Sequence, residues 1–484
     1  MQTILDLQPQ AIWHYFNEVC NIPHPSGKEE KIRNYLLDFG KNHNLESKAD
    51  EVGNVLLRKP ASPGYENAPA LILQAHMDMV CEKNAGTVHD FDNDPIQTVI
   101  DGDWVKANGT TLGADDGIGV AAILAVLADD SLKHPALDCI ITVDEERGLT
   151  GAQHVSKEWL SAPMLLNLDS EDDGQFCIGC AGGIDTIATF NLKREATPNN
   201  YLPFHIQVKG LMGGHSGEDI NKDRGNALKI LSRFLWMQNK KYPVYLQKII
   251  GGNLHNAIPR EASAFILVPF NKKEDLRVDL NVYTTTIENE YPNEKTIEIL
   301  LESSSEKIDP INKSQGDAII DALFACPHGV MGMSREIEGL PETSTNLAAV
   351  KMPDDNTLLV STSQRSSTES KKHEIKDRVE AVFALAKADK VTHSDGYPGW
   401  KPNMNSKIKN VVIDAFTALF PEKPTVGAIH AGLECGLFLD KNPNLDMISI
   451  GPDIFDNHSP AEKCRISSVA RFWKHVVLTL ESLK

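Results

Sequence analysis

The sequence predicts an α/β unit built on a largely parallel sheet and interrupted by a separate α+β unit. Apolar runs of strand length alternate with helix-like stretches from about residue 10 to residue 180, the texture changes after Gly182-Gly183, and the first texture returns near the C-terminus. At 484 residues the chain is long for one core, so two folding units are expected on size alone. The first unit is expected to comprise residues 1–183 and 395–484, and the second residues 184–394.

The clearest strands of the first unit are 70–75, 137–143 and 164–168, each an apolar run of strand length followed at once by acidic or His residues. Between them, the Ala-rich stretch 118–127 has helical length, and Gly113-Ala114-Asp115-Asp116-Gly117 forms the turn that enters it. Asp115 is therefore expected near a helix N-terminus. In the second unit, 204–208 alternates like a half-buried strand, 227–235 reads as an amphipathic helix, and alternation recurs over 262–268 and 357–362. A helix near 408–419 and the strand 447–450, leading to Asp456-Asn457-His458, complete the first unit. No internal repeat is apparent.

Composition narrows the function. With 41% hydrophobic and 24% charged residues the chain reads as an ordinary globular protein, and a net charge of −19 without a basic patch argues against nucleic acid. Most of the surplus acid is expected to serve solubility. The N-terminal residues lack the basic and apolar regions of a secretory signal, and the longest strongly apolar run, 118–128, is too short for a bilayer. A cytoplasmic protein without membrane partners is expected. The 8 cysteines are scattered, and Cys177-Ile178-Gly179-Cys180 has no second pair to complete a zinc site, so reduced thiols are expected.

The chemistry-bearing residues fall where an open α/β sheet binds ligands, beyond the carboxyl ends of its strands. His76 and Asp78 follow the first strand, Asp144-Glu145-Glu146 the second, Asp169 the third and His458 the last, with Asp115 on the intervening turn. Alone, an H-x-D is usually a polar loop and a D-E-E run a solvated face. Three apolar strands each ending in candidate ligands are not explained that way. Two zinc ions need a bridging carboxylate, further imidazole or carboxylate ligands and open positions for water. Asp115 can bridge, His76 and Asp169 can complete one metal, and Glu146 and His458 the other. Asp78 suits the carboxylate that fixes the tautomer of a ligating imidazole. Glu145, left without a metal, suits the base that takes a proton from water attacking a carbonyl and delivers it to the departing amine. Co²⁺ and Mn²⁺ are plausible substitutes for Zn²⁺ at such mixed N/O ligands.

Gln74-Ala75-His76-Met77-Asp78, Leu112-Gly113-Ala114-Asp115-Asp116-Gly117, Asp144-Glu145-Glu146, Asn167-Leu168-Asp169-Ser170 and Asn457-His458-Ser459-Pro460 resemble the M20 metallopeptidases. Within them, the chain is similar to the bacterial cytosolic aminoacyl-histidine (Xaa-His) dipeptidases. The likeness extends to Ile22-Pro23-His24-Pro25-Ser26, Cys180-Ala181-Gly182-Gly183-Ile184-Asp185, Asn256-Ala257-Ile258-Pro259-Arg260-Glu261 and His430-Ala431-Gly432-Leu433-Glu434-Cys435-Gly436. The resemblance implies a zinc-peptidase catalytic domain interrupted by a lid domain that often mediates dimerisation, two Zn²⁺ per subunit, and hydrolysis of dipeptides, Xaa-His dipeptides above all. It implies that His215 polarises the scissile carbonyl, often from the partner subunit of a homodimer, and that Asn256, Arg365 and Gly432 hold the substrate, with Arg365 on its carboxylate. Position 116 departs from the pattern: it is Asp where relatives commonly have Asn, adding charge beside the bridge.

Other readings separate on simple grounds. A tripeptidase, a broader dipeptidase or an N-acyl amino acid deacylase of the same family shares the metal machinery and differs in pocket shape. A serine hydrolase fails the G-x-S-x-G pattern, because residue 218 is Glu. A non-catalytic relative is disfavoured because the base and all five proposed ligands are present.

Overall fold

A computed structural model describes residues 3–484, which divide into two compact units. The first comprises residues up to Cys180, Trp400–Ala428 and Leu433–Lys484; the second comprises Ala181–Gly399 and Ile429–Gly432. The junctions lie a few residues from those expected because Tyr397 pairs with Gly183, which keeps 395–399 with the second unit.

The first unit is organised by an eight-stranded sheet in the order Glu46–Ala49, Val55–Lys59, Leu137–Thr142, Leu71–His76, Met164–Asn167, Asp446–Ser449, Gln175–Cys180, Thr425–Ile429. Its centre, from Leu137–Thr142 to Asp446–Ser449, is parallel, while the strands paired on either side of that centre run antiparallel, so the sheet is mixed. Parallel central strands are covered on both faces and read as continuous apolar runs. Leu71–His76 accordingly has every residue buried. The helix Ala114–Ala128 packs between helix Gln10–Cys20 and this strand, and its residues 114–127 are all buried. A helix apolar on every side belongs inside a core. Its N-terminus is thereby fixed beside the strand ends.

His458 does not follow the last central strand directly. It sits in the turn of a hairpin, Ile454–Phe455 with Lys463–Arg465, whose second strand pairs with Trp104–Ala107 in a separate four-stranded sheet. Two loops that carry candidate ligands contain non-glycine residues in the left-handed region, Asp144 (φ 52°) and His458 itself (φ 56°). Such conformations are uncommon and persist where surrounding contacts impose them.

The second unit holds a repeat that the sequence does not display. Strand Tyr201–Lys209, helix Ala227–Asn239, strands Tyr245–Gly251 and Ala262–Pro269, helix Lys273–Glu290 and strand Glu298–Ser303 form a βαββαβ motif. Strand Gly182–Asn191, helix Lys313–Ala325, strands Pro341–Asp354 and Thr357–Ser366, helix Glu369–Leu385 and strand Lys390–His393 form another. In both, the strands lie side by side in the order fourth, first, third, second. The second strands of the two motifs meet antiparallel at Gly251 and Val350, joining them into one sheet. The first motif is inserted between the first strand and the first helix of the second, which hides the period from a linear reading. Phe204, Ile206, Leu231, Phe234, Val360 and Phe383 belong to the continuous core of this unit.

Candidate metal centre and substrate cluster

In the first unit, strand ends and the His458 hairpin bring four side chains around the carboxylate of Asp115. His76 Nε2 lies 3.1 Å from Asp115 Oδ1 and 3.3 Å from Asp169 Oδ1. His458 Nε2 lies 3.2 Å from Asp115 Oδ2 and 3.0 Å from Glu146 Oε2. Each oxygen of Asp115 thus faces its own imidazole, and each imidazole has its own second carboxylate. Glu145 clusters with His76 and Glu146. Glu146 Oε1 is buried without a hydrogen-bond partner.

The electrostatics follow from this concentration of acid. Hydrogen bonds to Asp115 and Glu146 hold His458 up to about 11. Burial works against a charge on His76, yet Asp169 and Asp115 lift it well above the usual imidazole range. Burial likewise pushes Glu145 upward, reinforced by Asp169 and Glu146. For Asp115 burial acts upward too, but the hydrogen bonds from His458 and His76 overcome it and hold the carboxyl low. The cluster is short of positive charge.

Asp78 lies beside His76 and makes further contacts. Its backbone carbonyl, at 3.1 Å, faces His76 Nδ1, while its carboxylate is 3.5 Å away. That carboxylate also accepts the N–H groups of Glu145 (2.9 Å) and Glu146 (3.3 Å), holding the backbone of the residues that carry the acidic pair. Asp116 accepts the N–H of His76 at 3.2 Å and that of Gly119 at 3.1 Å. Burial, then Asp169, pushes its carboxyl well up, toward the neutral form that an Asn would mimic.

Three supporting groups were not singled out in the sequence. Glu462, four residues after His458, accepts the N–H groups of Leu112, Gly113 and Ala114 at 2.7–3.1 Å and so clamps the turn that presents Asp115. Asn457 donates to Asp115 Oδ2 at 3.2 Å. Beneath the candidate ligands, Glu434, Gln74, Asn167 and Ser449 form a buried chain of hydrogen bonds across the sheet, with Glu434 pushed up to about 8 by burial. Gln74, Asn167 and Ser449 are in register on adjacent strands, and His76 and Asp169 each lie two residues beyond a member of this row. A polar residue inside an apolar strand was the available signal.

The second unit gathers the remaining predicted residues. His215 pairs with Ala257 in a two-residue ladder, and the carbonyl of Asn256 accepts the N–H of Ser216 at 2.8 Å, so Asn256 and His215 are neighbours. His215 Nδ1 accepts the N–H of Glu218 at 3.3 Å, which leaves the ring proton on Nε2. Burial, then the charge of Arg365, drops His215 to about 4, so the ring is neutral near pH 7. Arg365 is 6% exposed, donates through Nη1 to Tyr397 Oη at 2.8 Å and through Nη2 to Ser216 Oγ at 3.4 Å, and its Nε has no partner. Gly432 lies against the ring of Tyr397. All four predicted residues of this unit therefore fall in or beside one cluster, His215 from the first βαββαβ motif and Arg365 from the second.

Residues 72–482 match the family model described as peptidase family M20/M25/M40. The chain is 44% identical over 475 residues to the cytosol non-specific dipeptidase of Escherichia coli, covering 98% of this chain and 97% of that one. The crystal structure of aminoacylhistidine dipeptidase from Vibrio alginolyticus superposes with a TM-score of 0.92 at 42% identity, covering 100% of this chain and 98% of the other. A tripeptidase structure from Staphylococcus aureus shares the fold at 16% identity, with a TM-score of 0.57 and 98% of each chain covered. Among the described residues no helix is long and apolar enough to cross a membrane. With the family model spanning most of its length and near-complete relatives above 40% identity, the chain belongs to peptidase family M20/M25/M40.

Proposed function

We propose that this chain is a cytoplasmic dinuclear-zinc dipeptidase, with Xaa-His dipeptides among its favoured substrates. The observation that carries the reading is the split of Asp115, whose two oxygens face two separate imidazole–carboxylate pairs. Ligand atoms about 2.0–2.2 Å from a tetrahedral ion lie about 3.3–3.6 Å from one another, and the spacings here of 3.0–3.3 Å approach that value twice over. The unpartnered oxygen of Glu146 and the shortage of positive charge fit the same reading. His76 and Asp169 would hold one ion, Glu146 and His458 the other, and Asp115 both.

When bound, such a pair supplies Lewis-acid polarisation and a water acidic enough to be deprotonated near neutral pH. Glu145, with its carboxyl raised by burial, is suited to take the proton of the attacking water and return it to the leaving amine. Asp78 keeps the backbone of Glu145 and Glu146 in place while this happens. His215, neutral with its proton on Nε2, offers a donor to the carbonyl oxygen as negative charge develops there. Arg365, a buried guanidinium that donates to the neutral hydroxyls of Tyr397 and Ser216, calls for an anion, and the carboxylate of a dipeptide supplies one. Asn256 and Gly432 complete the substrate contacts.

The names of the two near relatives favour dipeptides over longer peptides and differ in breadth, one non-specific and one aminoacyl-histidine. A panel of Xaa-His, other dipeptide, tripeptide and N-acyl amino acid substrates separates these readings. Homodimerisation is part of the proposal, with His215 reaching the carbonyl by domain closure or from the partner subunit. The test of the core claim is metal removal: a strong chelator should abolish activity and about two equivalents of Zn²⁺ should restore it. Full turnover by metal-free protein would refute the proposal.

A further inference from the structure

Resting on the reading that Arg365 takes the substrate carboxylate, we propose that Tyr397 is the positioning residue that aims its guanidinium, and that Gly183 and Gly432 are glycine in order to seat the Tyr397 ring. Arg365 lies on strand Thr357–Ser366 directly opposite Gly183 of strand Gly182–Asn191. Its Nε has no hydrogen-bond partner, and its contact with Ser216 Oγ is long at 3.4 Å. The 2.8 Å hydrogen bond from Nη1 to Tyr397 Oη is therefore the strongest directional contact on the guanidinium. A long flexible stem ending in a planar fork recognises a carboxylate well only when its plane is fixed beforehand.

Tyr397 is itself firmly held. Its N–H donates to Gly183 O at 2.9 Å, and its carbonyl accepts from Gly183 N–H at 3.1 Å and from Lys372 Nζ at 2.7 Å. Lys372 is only 3% exposed, so this anchor is buried. The phenol ring passes between two glycines: a Cβ on Gly183 would lie 2.6 Å from Tyr397 Cζ and Oη, and a Cβ on Gly432 would lie 2.8 Å from Cε2. Neither glycine has a positive φ, so space rather than backbone conformation demands the missing side chain. One ring thus accounts for a glycine in each of two separate motifs, Cys180-Ala181-Gly182-Gly183 and His430-Ala431-Gly432.

The prediction is specific to the carboxylate. In metal-loaded enzyme, Tyr397→Phe removes the acceptor and should raise KM for an Xaa-His dipeptide by about tenfold, as expected for one hydrogen bond to a charged group, with kcat nearly unchanged. The same dipeptide bearing a C-terminal amide should be indifferent to the substitution, measured as kcat/KM or, where turnover is slow, as an inhibition constant. Metal content and melting temperature should not move. Gly183→Ala, which displaces the ring, should give the same selective loss, and Gly183→Ala/Tyr397→Phe should be no worse than the worse single variant. Arg365→Ala separates the two readings. If it affects acid and amide alike, the carboxylate reading of Arg365 fails and this inference with it. If Arg365→Ala discriminates acid from amide while Tyr397→Phe alters both or neither, the role of Tyr397 alone is overturned.

Discussion

In the first unit His458 is held up to about 11 by hydrogen bonds to Asp115 and Glu146, whereas in the second unit burial, aided by the charge of Arg365, drops His215 to about 4 and His430 to about 3. The same side chain is driven opposite ways because carboxylates bond His458 directly, whereas at His215 and His430 burial dominates and the Arg365 guanidinium adds to it, outweighing Asp219 beside His215. Charge balance thus suits the first cluster to cations and the Arg365 guanidinium to an anion.

The comparison breaks most sharply at Glu145. Glu145→Gln should retain both metals and lose at least the ~10²–10⁴-fold in kcat attributed to a positioned general acid–base. His458→Ala should instead deplete metal, read by elemental analysis. If Glu145→Gln loses metal and regains turnover when metal is supplied in excess, the roles of Glu145 and Glu146 are exchanged.

Removing the donor of the second cluster should cost less. His215→Ala is expected to lower kcat by ~10²–10³ with normal metal content. Mixing His215→Ala with Glu145→Gln subunits tests whether the histidine crosses between subunits. Under random exchange half the dimers are mixed, each with one composite site, and activity should recover to about a quarter of wild type. No recovery despite demonstrated exchange would place His215 in its own chain. The pairing of His215 with Arg365 needs no second subunit, since both belong to one compact unit.

The smallest effect lies in stability. For His215 and His430 the folded value is below the unfolded one of about 6.5, so the unfolded chain takes up protons first and stability falls as pH drops from about 6.5 toward 3–4. For His458 in metal-free protein the folded value is above the unfolded one, so its contribution is complete below about 6.5 and is lost as pH rises toward 11. Hydrogen exchange on chelated protein should therefore show the segment around His458 weakening toward alkaline pH and the segments around His215 and His430 weakening toward acid. Parallel pH dependence in both would contradict the charge-balance account.

The candidate ligand positions were legible in the sequence because a parallel strand buried on both faces must be apolar, so His76, Asp169 and the Asp144–Glu146 run stand out at its end. The interrupted architecture was legible because the apolar texture changes and returns. What tertiary structure alone decided are meetings between distant residues. Glu462 clamps residues 112–114 across nearly 350 positions, Glu434 reaches Gln74 across 360, and Tyr397 settles between Gly183 and Gly432. The doubled βαββαβ motif was hidden because topology repeats there while the chain nests one copy inside the other. Local pattern records whether a residue faces water or core, and therefore finds strands and their ends. Which carboxylate accepts which N–H, and which oxygen of Asp115 faces which imidazole, depends on three-dimensional proximity, which a one-dimensional pattern does not encode.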